Sequence, residues 1–293
     1  MDTEKTFVYL WFSHLLIKMK NTAPIGIFDS GVGGLSVLRE IRRQLPAEKL
    51  IFLADQGHVP YGPRSLAQVR QFSEEISRYL ISQGAKLVVV ACNAASAAAL
   101  HHLRTTFPDT PFVGMEPAVK PAAERTRSGV VGVLATPATF QGKLYASVIE
   151  RFTRGVTVLQ ATCPGLVLQI ENGDLDGDET RTILEDALRP MLARGIDRVV
   201  MGCTHYPFVI PLIEEITGPG VEVIDPAPAV ARQVKRVLNT RGLVSTESAL
   251  GAVHYITSGD PQKLSQLLPR LMGEMCVGRP DVKHLDADFQ ATP

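Results

Sequence analysis

Short, unbroken apolar runs punctuate this chain, and they narrow its fold more than any other feature. Ile25–Phe28, Leu50–Ala54, Leu87–Ala91, Phe112–Met115, Val130–Leu134, Val156–Gln160, Val199–Met201 and Val221–Ile224 are mostly Val, Ile and Leu, without polar alternation. A strand with one wet face alternates, whereas a strand buried on both faces does not. Such strands belong to parallel sheets covered by helices. Stretches of helical period lie between them, including Leu35–Gln44, Ser65–Gln83, Ala95–Thr105, Gly142–Phe152 and Glu179–Arg194. Gly84 and Gly195 fall at the ends of two of these, where a left-handed residue closes a helix. The expected class is α/β, with open, doubly wound parallel sheets.

A longer period overlies the short one. LVVVACNAAS around Cys92 returns as RVVMGCTHYP around Cys203, and VGMEPAVKPAAER (113–125) returns at a similar spacing as EVIDPAPAVARQV (222–234). GIFDSGVGGLSVLREI (26–41) has an echo in GVLATPATFQGKLYASVI (132–149). Three echoes in one order predict an internal duplication, hence two pseudo-symmetric domains of one topology. In open α/β sheets ligands bind at the carboxyl ends of strands. Asp29, Cys92, Thr136 and Cys203 all fall at such ends, so two facing domains would bring them to one cleft.

Composition removes several function classes. Lys+Arg and Asp+Glu both number 30, and no long basic block occurs, so the chain lacks the electrostatic footprint of a nucleic-acid binder. Four cysteines in 293 residues make no disulfide framework and suit a reducing compartment. Phe7 to Ile17 is apolar but shorter than the roughly 20 residues that a bilayer requires, and no A-x-A cleavage pattern follows it. Neither a membrane span nor export is expected. Residues 1–23 read as an appended helix, or as the product of a start site upstream of Met19.

The cysteine pair carries the chemistry. A lone cysteine is usually a small buried hydrophobe. Cys92 and Cys203, however, each end an apolar strand and each precede polar residues, Asn93 in one half and Thr204-His205 in the other. Two thiols set by a pseudo-twofold at one cleft would approach opposite faces of a small molecule. One would take a proton from a carbon while its partner supplied one, inverting the centre without a cofactor. A working thiolate needs help, since the ordinary thiol pKa is about 8.5. Asn93 and the N–H groups of the following helix start are candidates to supply it, and His205 and Asp29 are candidates to relay protons.

The run Asp29-Ser30-Gly31-Val32-Gly33-Gly34 reads as an anion cradle at a helix start. A dinucleotide reading competes, with Asp55 as the acidic residue, but Ser36 replaces the third glycine and Asp29 would face the pyrophosphate. The Tyr61 hydroxyl and Gly62 N–H are candidates for holding a polar ligand group. Cys163-Pro164 reads as a helix start with Pro at its first position, Cys163 as structural, and Glu171 as directed at the site. Cys276, His58, His101 and His102 read as structural. Cys92, Cys203 and His205 would make an incomplete zinc set without a C-x-x-C pair, so no metal is expected.

DSGVGGLSVL (29–38), PYG (60–62), ACNAASA (91–97), CPGLVLQIE (163–171) and GCTHYPF (202–208) together resemble the bacterial glutamate racemases of the aspartate/glutamate racemase superfamily. The resemblance runs from about Pro24 to about Gly273. It implies a cytoplasmic, cofactor-independent enzyme interconverting L- and D-glutamate for peptidoglycan synthesis, acting on no nucleic acid or membrane and often found as a homodimer. By resemblance, Cys92 works on the D face and Cys203 on the L face, assisted by Asp29, Glu171 and His205. Asp29, Ser30, Tyr61, Gly62, Asn93, Thr204 and His205 match substrate-binding positions. It also implies a domain one of residues 24–117 plus 227–279, an inserted domain two of 118–226, and a tail of 280–293. Two positions depart from the pattern: Ala94 where the family usually has Thr, and Leu168 where proline is common.

Overall fold

A computed structural model describes residues 21–276 and 280–285. The reading of residues 1–23 therefore falls almost wholly outside the described residues. Ten strands form two sheets: β1 (Ile25–Asp29), β2 (Leu50–Ala54), β3 (Leu87–Val90), β4 (Phe112–Gly114), β5 (Val130–Ala135), β6 (Thr157–Ala161), β7 (Arg198–Gly202), β8 (Glu222–Ile224), β9 (Val253–Thr257) and β10 (Val282–His284). The first sheet runs β10-β9-β2-β1-β3-β4 and the second β6-β5-β7-β8. Every recorded pairing is parallel.

The order β2-β1-β3-β4 is repeated in β6-β5-β7-β8, so the echo in sequence is an echo in topology. In each sheet the chain leaves its first strand toward one side and later returns to the other. The crevice beyond the strand ends therefore opens between β1 and β3 in one sheet, and between β5 and β7 in the other. Residues 29–30 and 91–93 stand at the first crevice, residues 136 and 203–205 at the second.

β1, β2 and β3 are buried along their whole lengths, as unbroken apolar runs require. Burying one such Val, Ile or Leu side chain contributes about 1.5–3 kcal/mol, so these central strands make a rigid platform for the loops they carry. Helix Leu35–Gln44 packs its buried Leu35, Val37, Leu38 and Ile41 against the first sheet. Helix Leu66–Ser82 starts with a reciprocal cap between Ser65 and Gln68. Gly84 and Gly195 take φ of +81° and +75°, the left-handed closure expected at both helix ends.

Three sequence expectations need correction, and one strand was missed. β6 and β8 are not buried on both faces: they are the two edges of their sheet, with Thr157, Gln160 and Glu222 exposed. β9 was hidden because Val-His-Tyr-Ile-Thr is half polar and breaks the apolar run, yet it pairs with β2 in full register. The expected tail of 280–293 is described only over residues 280–285, and there Val282–His284 pairs with β9. Finally, Pro164 does not start a helix. Gly165, with φ +87°, caps helix Leu166–Glu171.

Candidate active site

β1 ends on Asp29, which is wholly buried, and the glycine-rich loop then folds back over its carboxylate. Ser30 N–H donates to Asp29 Oδ1 at 2.7 Å, and Gly34 N–H donates to Oδ2 at 2.6 Å. Val32 N–H donates at 2.7 Å to Glu171 Oε1, which arrives from the second sheet's side of the molecule. The expected anion cradle is corrected in one respect: its N–H groups hold the protein's own two carboxyl groups, Asp29 and Glu171, and not those of a ligand. Its glycines serve close approach. A Cβ on Gly31 would overlap Glu171 Oε1, and one on Gly33 would overlap His205 Nδ1 and crowd Asp29 and Thr204. Thr204 donates its hydroxyl to Asp29 Oδ2 at 3.2 Å, and Ser36 donates to the Thr204 carbonyl at 2.9 Å. These contacts join the two halves at the strand ends.

The two thiols have different neighbours. Cys92 precedes helix Asn93–Thr106 in an extended conformation, with its Sγ 3.9 Å from Ser30 Oγ. Burial and the charge of Asp29 push this thiol well above the ordinary range, outweighing the Ala95 N–H that favours thiolate. The expected help from the helix start is present but loses. Burial also raises the pKa of Asp29, against the opposing influence of His205 and the Cys92 thiol.

Cys203 lies 3.8 Å from His205 Nδ1, and His205 Nε2 lies 2.7 Å from Glu171 Oε1. Burial opposes the charged imidazole, but its hydrogen bonds to Cys203 and Glu171 prevail and hold its pKa well above the usual value. Glu171 shows the counterpart. Burial pushes it up, while His205, Gln56 and the Val32 N–H outweigh burial and hold it low. The Cys203 half therefore carries an imidazolium between a sulfur and a carboxylate, and the Cys92 half a protonated thiol beside an acid.

Ser30, Tyr61, Gly62, Cys92, Asn93, Thr204 and His205 line one cavity of about 20 Å³, together with Cys203. That space accepts about one water, so a larger ligand requires the facing loops to part. A second cavity of about 230 Å³ shares Pro60, Gly62, Thr136 and Val167 with the first, and Cys163 and Tyr206 also line it. Another cavity, about 700 Å³ between β6 and helix Asp178–Leu192, holds none of these groups.

Asn93 is buried with both side-chain polar atoms unpartnered, an arrangement that invites a polar ligand. Tyr61 differs from expectation: its hydroxyl donates to Asp55 Oδ2 at 2.5 Å, so only its lone pairs remain for a ligand. Asp55 also accepts from Ser258 at 2.5 Å and lies 2.9 Å from His58 Nδ1. A carboxylate so engaged has no capacity for a ribose, which removes the dinucleotide reading. Among the described residues no His, Cys, Asp and Glu cluster is arranged to hold a metal, and no helix is long and apolar enough to cross a membrane. Sequence reasoning missed Gln56, whose amide donates to Glu171 Oε2 at 2.8 Å. Its place just after β2 was the available signal.

The Asp/Glu/hydantoin racemase family model matches residues 25–234. The chain belongs to that family. Its relatives in the family include the glutamate racemase of Roseiflexus sp., 53% identical over 86% of this chain and 93% of that protein. Among solved structures, the glutamate racemase of Escherichia coli, in complex with L-glutamate and the activator UDP-MurNAc-ala, is 32% identical. It superposes with a TM-score of 0.77 over 90% of this chain and 98% of its own. The glutamate racemase of Francisella tularensis, in complex with D-glutamate, is 26% identical, with a TM-score of 0.79 over 93% of this chain and all of its own. The fold of this racemase, with two parallel sheets facing across the thiol cavity, is the fold of those enzymes.

Proposed function

We propose that the chain interconverts L- and D-glutamate by passing the α-proton between Cys92 and Cys203, without a cofactor. One observation carries the reading: thiols from matching strand ends of two like sheets line a single cavity. Inversion at a carbon needs an acid and a base on opposite sides, and this arrangement supplies both. That solved relatives carry opposite enantiomers of glutamate supports the choice of substrate.

Starting from L-glutamate, Cys203 as thiolate removes the α-proton and Cys92 as thiol donates to the opposite face. The return reaction reverses the roles. The His205 imidazolium steadies the Cys203 thiolate, and Glu171 keeps that imidazole charged and aimed. Asp29 serves as the partner acid or base beside Cys92. Asn93, Ser30, Thr204, Tyr61 and Gly62 meet the substrate's polar groups, with the unpartnered Asn93 amide as the strongest support. Residues 24–117 and 227–279 form one domain and 118–226 the other, a division supported by the return of β9 to the first sheet. The reducing cytoplasm suits a reaction run by free thiols, and the four cysteines are all free. There the product would feed peptidoglycan synthesis.

Ala94, buried in the cavity wall, favours a second reading in which specificity is broader and extends to aspartate. Circular dichroism of all four enantiomers of glutamate and aspartate tests both. The expected result is decay of both glutamate signals to zero, with aspartate nearly unchanged. Faster decay of aspartate would favour the second reading, and bound glutamate with a constant signal would refute both.

A further inference from the structure

Glu171 faces two fixed donors and one imidazole nitrogen. Its Oε1 receives Val32 N–H and faces His205 Nε2, each at 2.7 Å, and its Oε2 receives Gln56 Nε2 at 2.8 Å. A protonated carboxyl would need an acceptor, which the Val32 N–H and the Gln56 N–H₂ are not; only a neutral His205 with its proton on Nδ1 could accept, through Nε2. What fixes the Gln56 amide lies behind it. Thr257, the last residue of β9, is wholly buried and sits in register with Ala54, two residues before Gln56. Its hydroxyl accepts the Gly259 backbone N–H at 3.0 Å, which leaves its own proton for Gln56 Oε1, also at 3.0 Å. With its oxygen committed there, the Gln56 amide must turn its N–H₂ toward Glu171. The Gly259 N–H occupies one of the two lone pairs of the Thr257 hydroxyl, and the Glu171 carboxylate orients the Gln56 amide from the other end.

We propose that Gln56 and Thr257 are positioning residues of the Cys203 half, presenting only donors to Glu171 and so fixing the carboxylate that holds His205 charged beside the sulfur. The late strand β9 thereby takes part in a site whose other groups come from earlier in the chain. The inference rests on reading Cys203–His205–Glu171 as one of the two proton-transfer halves. The titratable groups facing His205 and Glu171 are Cys203, Asp29 and, across the cavity, Cys92.

The test uses the full chain labelled with ¹⁵N-histidine, with the His205 ring signals assigned by their loss in His205→Asn. In the wild type His205 should stay an imidazolium through neutral pH. In Gln56→Met and in Thr257→Val its titration should move to lower pH, and Thr257→Ser, which keeps the hydroxyl, should restore it. Neither residue lines the cavity. The racemisation kcat should therefore fall roughly tenfold, the worth of one hydrogen bond to a charged group, with KM changed by less than about twofold. A folded Gln56→Met or Thr257→Val protein in which His205 titrates as in the wild type overturns the inference, as does a rise in KM with kcat intact. Either outcome leaves the two-thiol reading standing, because that reading is tested by the activity of Cys92→Ala and Cys203→Ala and not by the titration of His205.

Discussion

Cys92 and Cys203 occupy equivalent places in two like sheets, yet their electrostatic surroundings are opposite. Cys92 shares a buried pocket with the Asp29 carboxyl and the Ser30 hydroxyl, and burial plus the nearby acid keep it a thiol. Cys203 is backed by His205 and Glu171, which hold a positive charge against it. Pseudo-symmetric topology explains why both sulfurs reach one small space. It does not say which sulfur starts as the acid and which as the base. Proton exchange needs one acid and one base at once, and the unequal residues after the two strands, Asn93 against Thr204-His205, supply that inequality.

The largest effects should come from removing either sulfur. Cys92→Ala and Cys203→Ala should each lower racemisation by about 10²–10⁴-fold in both directions, measured by circular dichroism. Full activity in either protein would break the comparison outright. Glu171→Gln comes next, because it leaves a buried imidazole without its carboxylate. Losing one partner of such a pair costs about 3–5 kcal/mol. Glu171, held low, stabilises above the ordinary carboxylate pKa of about 4.3, and that share is lost as pH falls through its lowered value. His205, held high, stabilises below about 6.5, and its share is lost as pH rises through its raised value. The stability gap between wild type and Glu171→Gln should therefore be full between about pH 4.3 and 6.5 and shrink outside that window. Urea unfolding across pH measures it.

Asn93→Ala should affect function and stability in opposite directions. Removing two unpartnered buried polar atoms should leave the free protein as stable or up to about 1 kcal/mol more stable, while KM for glutamate rises. A loss of stability would mean that the amide is satisfied within the free protein. The smallest effect is expected of Ala94→Thr, which returns a hydroxyl to the cavity wall. KM for glutamate should fall by up to about tenfold, and its preference over aspartate should rise. No change in either would show that Ala94 does not face the bound substrate.

The sequence disclosed the parts of this site that depend on backbone topology. Unbroken apolar runs located β1, β2 and β3, and strand ends then singled out Asp29, Cys92 and Cys203. Contacts between distant side chains stayed hidden. Nothing local to Gly31 or Gly33 says that the space they leave is filled by Glu171 and His205. Tyr61 looked free for a ligand because Asp55, its hydrogen-bond partner, lay in a different motif. Thr257 escaped notice because β9 is half polar, and Gln56 because it carries neither charge nor nucleophile. The difference in surroundings between the thiols was equally invisible, since it arises from burial and from a carboxylate that the fold delivers.

Racemisation in D₂O, followed from each enantiomer by the NMR signal of the α-proton, tests the paired-thiol claim most directly. Early in the reaction the newly formed enantiomer should carry deuterium at the α-carbon, while the remaining substrate keeps its hydrogen, because one sulfur removes the proton and the other delivers a solvent-derived one. Product that retains the substrate's hydrogen, or label that appears equally in both enantiomers from the start, would mean that a single base serves both faces.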